Sequence, residues 1–359
     1  MIRVAVDAMG GDHAPYEVIK GTLLALKEYK IDIILVGDER IIKQELEKQT
    51  GKSTFERLYI VHAEEEIKMD DIPATAARRK RNSSMHVGMK LVRNGEANAF
   101  FSAGNTGAVM AVAKLILRTI EGVDRPAIGA VFPNIKSKTI ILDVGANVDC
   151  KPIHFLQFAI MGSAYAKYIL KLENPRVGLL SIGEEDVKGN DLTKSVFSLL
   201  KESSTINFIG NVEAKEIFKG VADVIVCDGF TGNIALKSSE SAAWYISTLL
   251  KEELNRTLIS KIGAFLAMGA FKRVKKRTDY TEYGGAPLLG VDGIVIIGHG
   301  SSNANAIKNG IRVSYELAFN KVNTHIAEDI MFTINKSSET SLWDSIKDKM
   351  KNIASQITK

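Results

Sequence analysis

Short apolar, β-branched runs recur along the chain, and each is followed by a longer amphipathic stretch. That alternation marks βα units feeding a mostly parallel sheet. It predicts ten strands, at 2–7, 32–36, 58–62, 99–102, 127–132, 139–143, 176–181, 206–209, 224–227 and 293–297. Runs such as Ile33-Ile34-Leu35-Val36 and Ile140-Ile141-Leu142 are apolar at consecutive positions. Both faces of the sheet are therefore expected to lie under helices, in a three-layer α/β/α, Rossmann-like arrangement. A buried helical turn would give the same runs, but the flanking glycines favour strand. Between 230 and 277 the strand pattern stops, and two helices are read at 232–254 and 257–274, an inserted helical hairpin. There is no Pro/Ser-rich linker, low-complexity tract or solenoid repeat. Residues 1–334 are accordingly expected to form one catalytic domain, and 335–359 a polar tail rich in Lys and Ser.

Six strand ends run into glycine turns. The first, Asp7-Ala8-Met9-Gly10-Gly11-Asp12, precedes a helix expected near Ala14-Pro15. Paired glycines let the backbone approach a ligand, and a helix N-terminus aims free N–H groups at an anion. A tight turn alone would also explain this one pair. Ser102-Ala103-Gly104-Asn105-Thr106-Gly107 repeats the pattern with hydroxyl and amide donors. Asp143-Val144-Gly145-Ala146-Asn147-Val148-Asp149 brings Lys151 to the start of the next helix. The acidic Ser181-Ile182-Gly183-Glu184-Glu185-Asp186 suits cations better than phosphate. Asp228-Gly229-Phe230-Thr231-Gly232-Asn233 leads into a helix carrying Lys237, and Ile297-Gly298-His299-Gly300-Ser301-Ser302-Asn303 is the sixth. In open α/β sheets such turns are expected to meet in one crevice at the carboxyl ends of the strands. GxGxxG and GxxxxGK[ST] are both absent, so inorganic phosphate or a small phosphate ester is expected rather than a dinucleotide. His13 and His299 are candidate general bases, although a lone histidine is more often structural. With no GxSxG elbow and no histidine beside either cysteine in sequence, attack by bound phosphate is easier to support than a covalent acyl-enzyme.

The chain has 359 residues, 45% hydrophobic and 25% charged, which excludes disorder. Cys150 and Cys227 have no zinc or disulfide spacing, so a reduced, cytoplasmic setting is expected, with no metal. The opening Ile2-Arg3-Val4-Ala5-Val6 is a strand pattern, so no signal peptide is expected, and no apolar run reaches the roughly 18 residues of a membrane span. The net charge of +5 matters because the cations cluster. In Arg78-Arg79-Lys80-Arg81 they would radiate from a helix end, fitting a solvated surface, phosphate or an acidic protein. Aromatic residues for base stacking are missing there, which argues against nucleic acid. Within the hairpin, Leu254, Leu258, Ile262 and Leu266 recur every four residues. They are followed by Lys272-Arg273-Val274-Lys275-Lys276-Arg277. An apolar stripe beside a basic cluster fits an anionic membrane interface, and an apolar stripe alone fits pairing with a second copy.

Taken with Leu142-Asp143-Val144-Gly145-Ala146-Asn147 and Tyr283-Gly284-Gly285-Ala286-Pro287-Leu288-Leu289-Gly290, these motifs resemble those of the bacterial acyl-carrier-protein:phosphate acyltransferases of fatty acid and phospholipid synthesis. The resemblance runs from Ile2 to about Ala318. It implies that inorganic phosphate attacks the thioester of a long-chain acyl group on acyl carrier protein, giving acyl phosphate, with no cofactor. It also implies a fold like that of isocitrate dehydrogenase and phosphotransacetylase, and a homodimer. Peripheral contact with the cell membrane follows, where a glycerol-3-phosphate acyltransferase would use the product. In that setting Gly10, Gly11, Asp12, Ser102, Gly104, Thr106, Gly107, Gly232, Asn233 and Lys237 are expected to bind phosphate. Asn105, Asn147, Lys151 and His299 are the expected catalytic residues, with backbone N–H groups, Asn105 or Asn147 stabilising the oxyanion. Arg79, Lys80 and Arg81 are expected to meet the carrier, and Leu254, Leu258, Ile262 and Leu266 the membrane.

Overall fold

In the computed structural model, which describes residues 1–278 and 282–339, the ten expected strands all form, with ends shifted by a few residues. They are β1 (Arg3–Asp7), β2 (Asp32–Gly37), β3 (Leu58–His62), β4 (Ala99–Ser102), β5 (Ala127–Pro133), β6 (Lys138–Leu142), β7 (Arg176–Ser181), β8 (Asn207–Glu213), β9 (Val224–Val226) and β11 (Ile294–Ile297). An eleventh, β10 (Ala286–Leu289), lies inside the stretch read as a glycine motif. Its Pro287 argues against an interior strand. The strand is nonetheless accommodated because its first two residues pair with β11 and its last two with β5.

All eleven strands join one sheet in the order β3-β2-β1-β4-β11-β10-β5-β6-β9-β7-β8. Consecutive strand residues alternate between two cores: Val4, Val6, Ile33, Leu35, Ile140 and Leu142 face one, while Ala5, Ile34, Val36 and Ile141 face the other. Because neither face of these inner strands is left to water, their apolar runs are continuous. The first core is closed by α1 (Tyr16–Glu28), α2 (Glu39–Thr50), α6 (Pro152–Tyr168), α7 (Asp191–Glu202), α11 (Ala304–Phe319) and α12 (Val322–Glu339). The second is closed by α3 (Pro73–Arg79), α4 (Ser84–Arg93) and α5 (Thr106–Ile116), together with a short 3-10 helix at Ala214–Lys219.

Strand direction overturns the single crevice. β1, β4 and β11 are mutually parallel. Three antiparallel pairings then follow in a row, β11 with β10, β10 with β5 and β5 with β6, after which β6, β9 and β7 are again parallel to one another. An odd number of reversals leaves the two blocks of strands running in opposite senses. Their glycine turns therefore emerge from opposite-running strands, with β10 and β5 between them.

The hairpin also differs. It consists of three helices, α8 (Gly229–Arg256), α9 (Leu258–Leu266) and α10 (Met268–Thr278). Thr257, in extended backbone, ends the first and caps the second through its hydroxyl. α8, about 42 Å long at 1.5 Å per residue, buries only Gly229 and Gly232. In α9 no residue is buried, and Leu258, Ile262 and Leu266 are exposed while Leu254 is half-buried. Of the expected tail, 335–339 belong to α12, and 340–359 lie outside the described residues. The side chains of Lys275 and Lys276 also lie outside them.

Candidate active site

The β1, β4 and β11 turns interlock. Gly10 packs against Gly104 so closely that a Cβ would lie 2.9 Å from the Gly104 nitrogen. The Asp12 N–H donates to the Gly300 carbonyl at 2.8 Å, and the Gly298 N–H to the Ser102 carbonyl. Beneath them sits Asp7, fully buried at the end of β1. Ser102 Oγ donates to Asp7 Oδ2 at 2.7 Å and accepts from the Gly104 N–H at 3.0 Å, so the hydroxyl is committed to holding the two turns together. Burial pushes the Asp7 carboxyl above its ordinary range, against the pull of hydrogen bonds from Ser84, Ser102 and Met9.

Asn105 caps α5 by accepting the Ala108 N–H, while its amide nitrogen donates to the Met69 and Asp71 carbonyls. Both amide hydrogens are thus spent on the 69–71 loop, and none is left to stabilise an oxyanion. What remains open is backbone. The N–H groups of Asn105, Thr106 and Gly107 have no acceptor among the described residues. Three free N–H groups in the first turn, at the positive end of the helix dipole, form an anion seat. Thr106 at its mouth is exposed.

The other turns are closed by carboxylates. Asp143 accepts from the N–H groups of Ile128, Gly145, Ala146 and Asn147 and from the Asn147 amide. Burial pushes its carboxyl up, against those donors. The remaining Asn147 amide hydrogen goes to the Pro126 carbonyl, so Asn147 is a buried strut like Asn105. Asp228 caps α8 through the Thr231 N–H and hydroxyl. Glu17 Oε2 takes the Ala304 N–H at the start of α11. Gly232 lets α8 touch β6: a Cβ there would overlap the Asp143 carbonyl oxygen. Asn233 stands beside Gly145, Lys151 is the exposed residue preceding α6, and Lys237 pairs with Glu240 at 3.0 Å. These residues group with one another, away from the α5 seat. The acidic 181–186 turn forms a third place, tied to β8 by Asn211 donating to the Glu185 carbonyl.

His299 belongs with the β11 turn, where its Nδ1 is 2.8 Å from Ser301 Oγ. The basic run borders the same seat. α3 packs on α5, with Gly107 against Pro73, and Lys80 pairs with Asp71 at 2.5 Å, holding that carboxyl below its ordinary range. Lys80 is therefore engaged within the chain, whereas Arg78, Arg79 and Arg81 are exposed. Asp7, Asp143 and Asp228 stand within the glycine motifs, but the motifs alone assign them no role. Their common signal is an aspartate at the strand end, one to three residues before a glycine.

A family model described as "Fatty acid synthesis protein" matches residues 2–325. A phosphate acyltransferase of Geotalea daltonii is 50% identical over 329 residues, 92% of this chain and 94% of its own length. One of Pelotomaculum thermopropionicum is 52% identical over 334 residues, covering 93% and 95%. The chain belongs to this family of enzymes. A phosphotransacetylase structure from Streptococcus pyogenes superposes with a TM-score of 0.60 at 15% identity, covering 89% of this chain and 94% of that one, so the likeness is one of fold.

Proposed function

We propose that the chain transfers a long-chain acyl group from acyl carrier protein to inorganic phosphate. A phosphate oxygen attacks the thioester carbonyl, the C–S bond breaks, and the carrier's phosphopantetheine leaves as thiolate, taking up the proton that phosphate gives up. The products are acyl phosphate and free carrier. The observation that carries this reading is the open first turn of α5, beside the exposed arginines of the α3 end. The seat suits a phosphate dianion, and the arginines suit an acidic carrier that must bring its thioester to it. Gly10, Gly11 and Gly104 shape its floor, and of the oxyanion donors expected, the amides of Asn105 and Asn147 are spent and the backbone N–H groups take the role. His299, on the β11 turn, is the candidate to relay the proton.

The α8–α10 arm supports a homodimer that touches the cell membrane from the cytoplasmic side. Trp244, Tyr245, Ile246, Leu258, Ile259, Phe265 and Leu266 are all more than half exposed on it, and exposed Lys272, Arg273 and Arg277 follow. No helix among the described residues is long and apolar enough to cross a membrane, so contact would be interfacial. A glycerol-3-phosphate acyltransferase at that membrane would receive the acyl phosphate.

The test removes one N–H and little else. Thr106 is the first residue of α5, where proline is tolerated, and Asn105 before it already has extended ψ. With palmitoyl carrier protein and phosphate, release of carrier thiol should depend on phosphate, and Thr106→Pro should raise the KM for phosphate about tenfold or more, since a charge-assisted bond contributes roughly 1.5–3 kcal/mol. Thiol release independent of phosphate would end the proposal, and equal rates with acetyl-coenzyme A would transfer it to short-chain phosphotransacetylation.

A further inference from the structure

On the face of the sheet opposite α5, between α6 and α11, lies a pocket of ≈ 320 Å³. Arg312, on its wall, is about two turns into α11, well beyond the β11 turn. Tyr165 is only 3% exposed, and its hydroxyl, which makes no hydrogen bond to a described residue, stays accessible from the pocket. The phenol lines the pocket, close enough to Glu316 and Arg312 to feel both charges. Burial pushes it well above the ordinary tyrosine range, so it stays a donor at neutral pH.

The charges around it do not balance. Arg312 and Glu316 answer each other at 2.7 Å. Lys171 Nζ donates to the neutral Asn320 amide oxygen at 2.9 Å, and Lys138 Nζ sits 5.5 Å from the centre of the Tyr283 ring. Neither ammonium meets a carboxylate among the described residues. Two cations unmatched by any described carboxylate, with a spare phenolic donor, fit a dianion with strong acceptor oxygens. Val131 and Val313 add apolar wall for an organic part.

We propose that this pocket binds a small phosphomonoester, its phosphoryl dianion answering Lys138 and Lys171, the Tyr165 hydroxyl donating to it, and its organic part lying on the valines. The site is separate from the anion seat of α5 and does not depend on the activity assigned there. Calorimetric titration of the full chain with n-butyl phosphate tests it, with inorganic phosphate and butyrate in parallel. Saturable binding of the ester is expected, at least tenfold weaker for butyrate and, measured in Thr106→Pro so that the α5 seat contributes little, at least tenfold weaker for inorganic phosphate. It should weaken at least tenfold in the double variant Lys138→Gln/Lys171→Gln and severalfold in Tyr165→Phe, with the Tm of each unliganded variant close to the parent's. Thr106→Pro should bind butyl phosphate as the parent does. The proposal is overturned by absent binding, by equal affinity in parent and double variant, or by loss in Thr106→Pro, which would move the ligand to α5. Inorganic phosphate binding to Thr106→Pro as tightly as the ester does would reduce the pocket to a free-phosphate site and overturn the ester assignment.

Discussion

Asp7 and Asp143 are carboxylates buried where strands end, each wrapped in donors from the turn it organises. For Asp7, burial outweighs the donors, so the folded chain holds the proton more tightly than the unfolded one. The stability this contributes is fully present below about pH 4. It is lost as pH rises through the elevated folded value. Asp7→Asn mimics the protonated form, and its stability relative to the parent should improve from pH 4 to pH 7.5 in urea unfolding. A difference that stays constant with pH would show Asp7 to titrate normally. Gly232 gives a second residue-scale expectation. Alanine there must displace the Asp143 carbonyl, an overpacking that costs roughly 1–3 kcal/mol, so Gly232→Ala should lower the Tm by several degrees. The sequence showed these glycines and aspartates but not their division of labour. A glycine that approaches a ligand and one that admits a neighbouring backbone look alike in one dimension. So do an asparagine that faces substrate and one whose amide, like those of Asn105 and Asn147, is already spent.

At the scale of elements, apolar patterning was the dependable guide, since the continuous burial along β1, β2 and β6 follows directly from their unbroken apolar runs. It failed for β10, where four residues with a proline carry too little pattern, and it ran α9 and α10 together because the apolar, Gly/Ala-containing stretch of α9 continues into the first residues of α10 before the cations begin. The exposed arm invites a direct test. In liposome flotation with anionic lipid, Leu258→Glu/Leu266→Glu should abolish recovery in the floated fraction while leaving the Tm unchanged, because neither side chain is buried. Undiminished flotation would leave the arm to dimerisation. On the α3 end, Arg78→Glu/Arg79→Glu/Arg81→Glu should raise the KM for acylated carrier severalfold with kcat unaltered, and more strongly at low salt, as expected of exposed charges that steer an acidic partner. An unchanged KM would place the carrier elsewhere.

For the whole molecule, fold class could be read from the chain, but strand direction could not. βα units announce parallel neighbours, whereas nothing in the pattern says that β10, β5 and β6 each reverse the sheet, and so nothing foretold that the turns would separate. That reversal also bears on how the protein is made. β4 has β1 on one side, and its other side is completed only by β11, with Phe101 opposite Ile296. A ribosome must deliver the entire second block of strands before that partner emerges. Until then the growing chain carries an uncovered apolar strand edge, a template for wrong pairings between nascent chains.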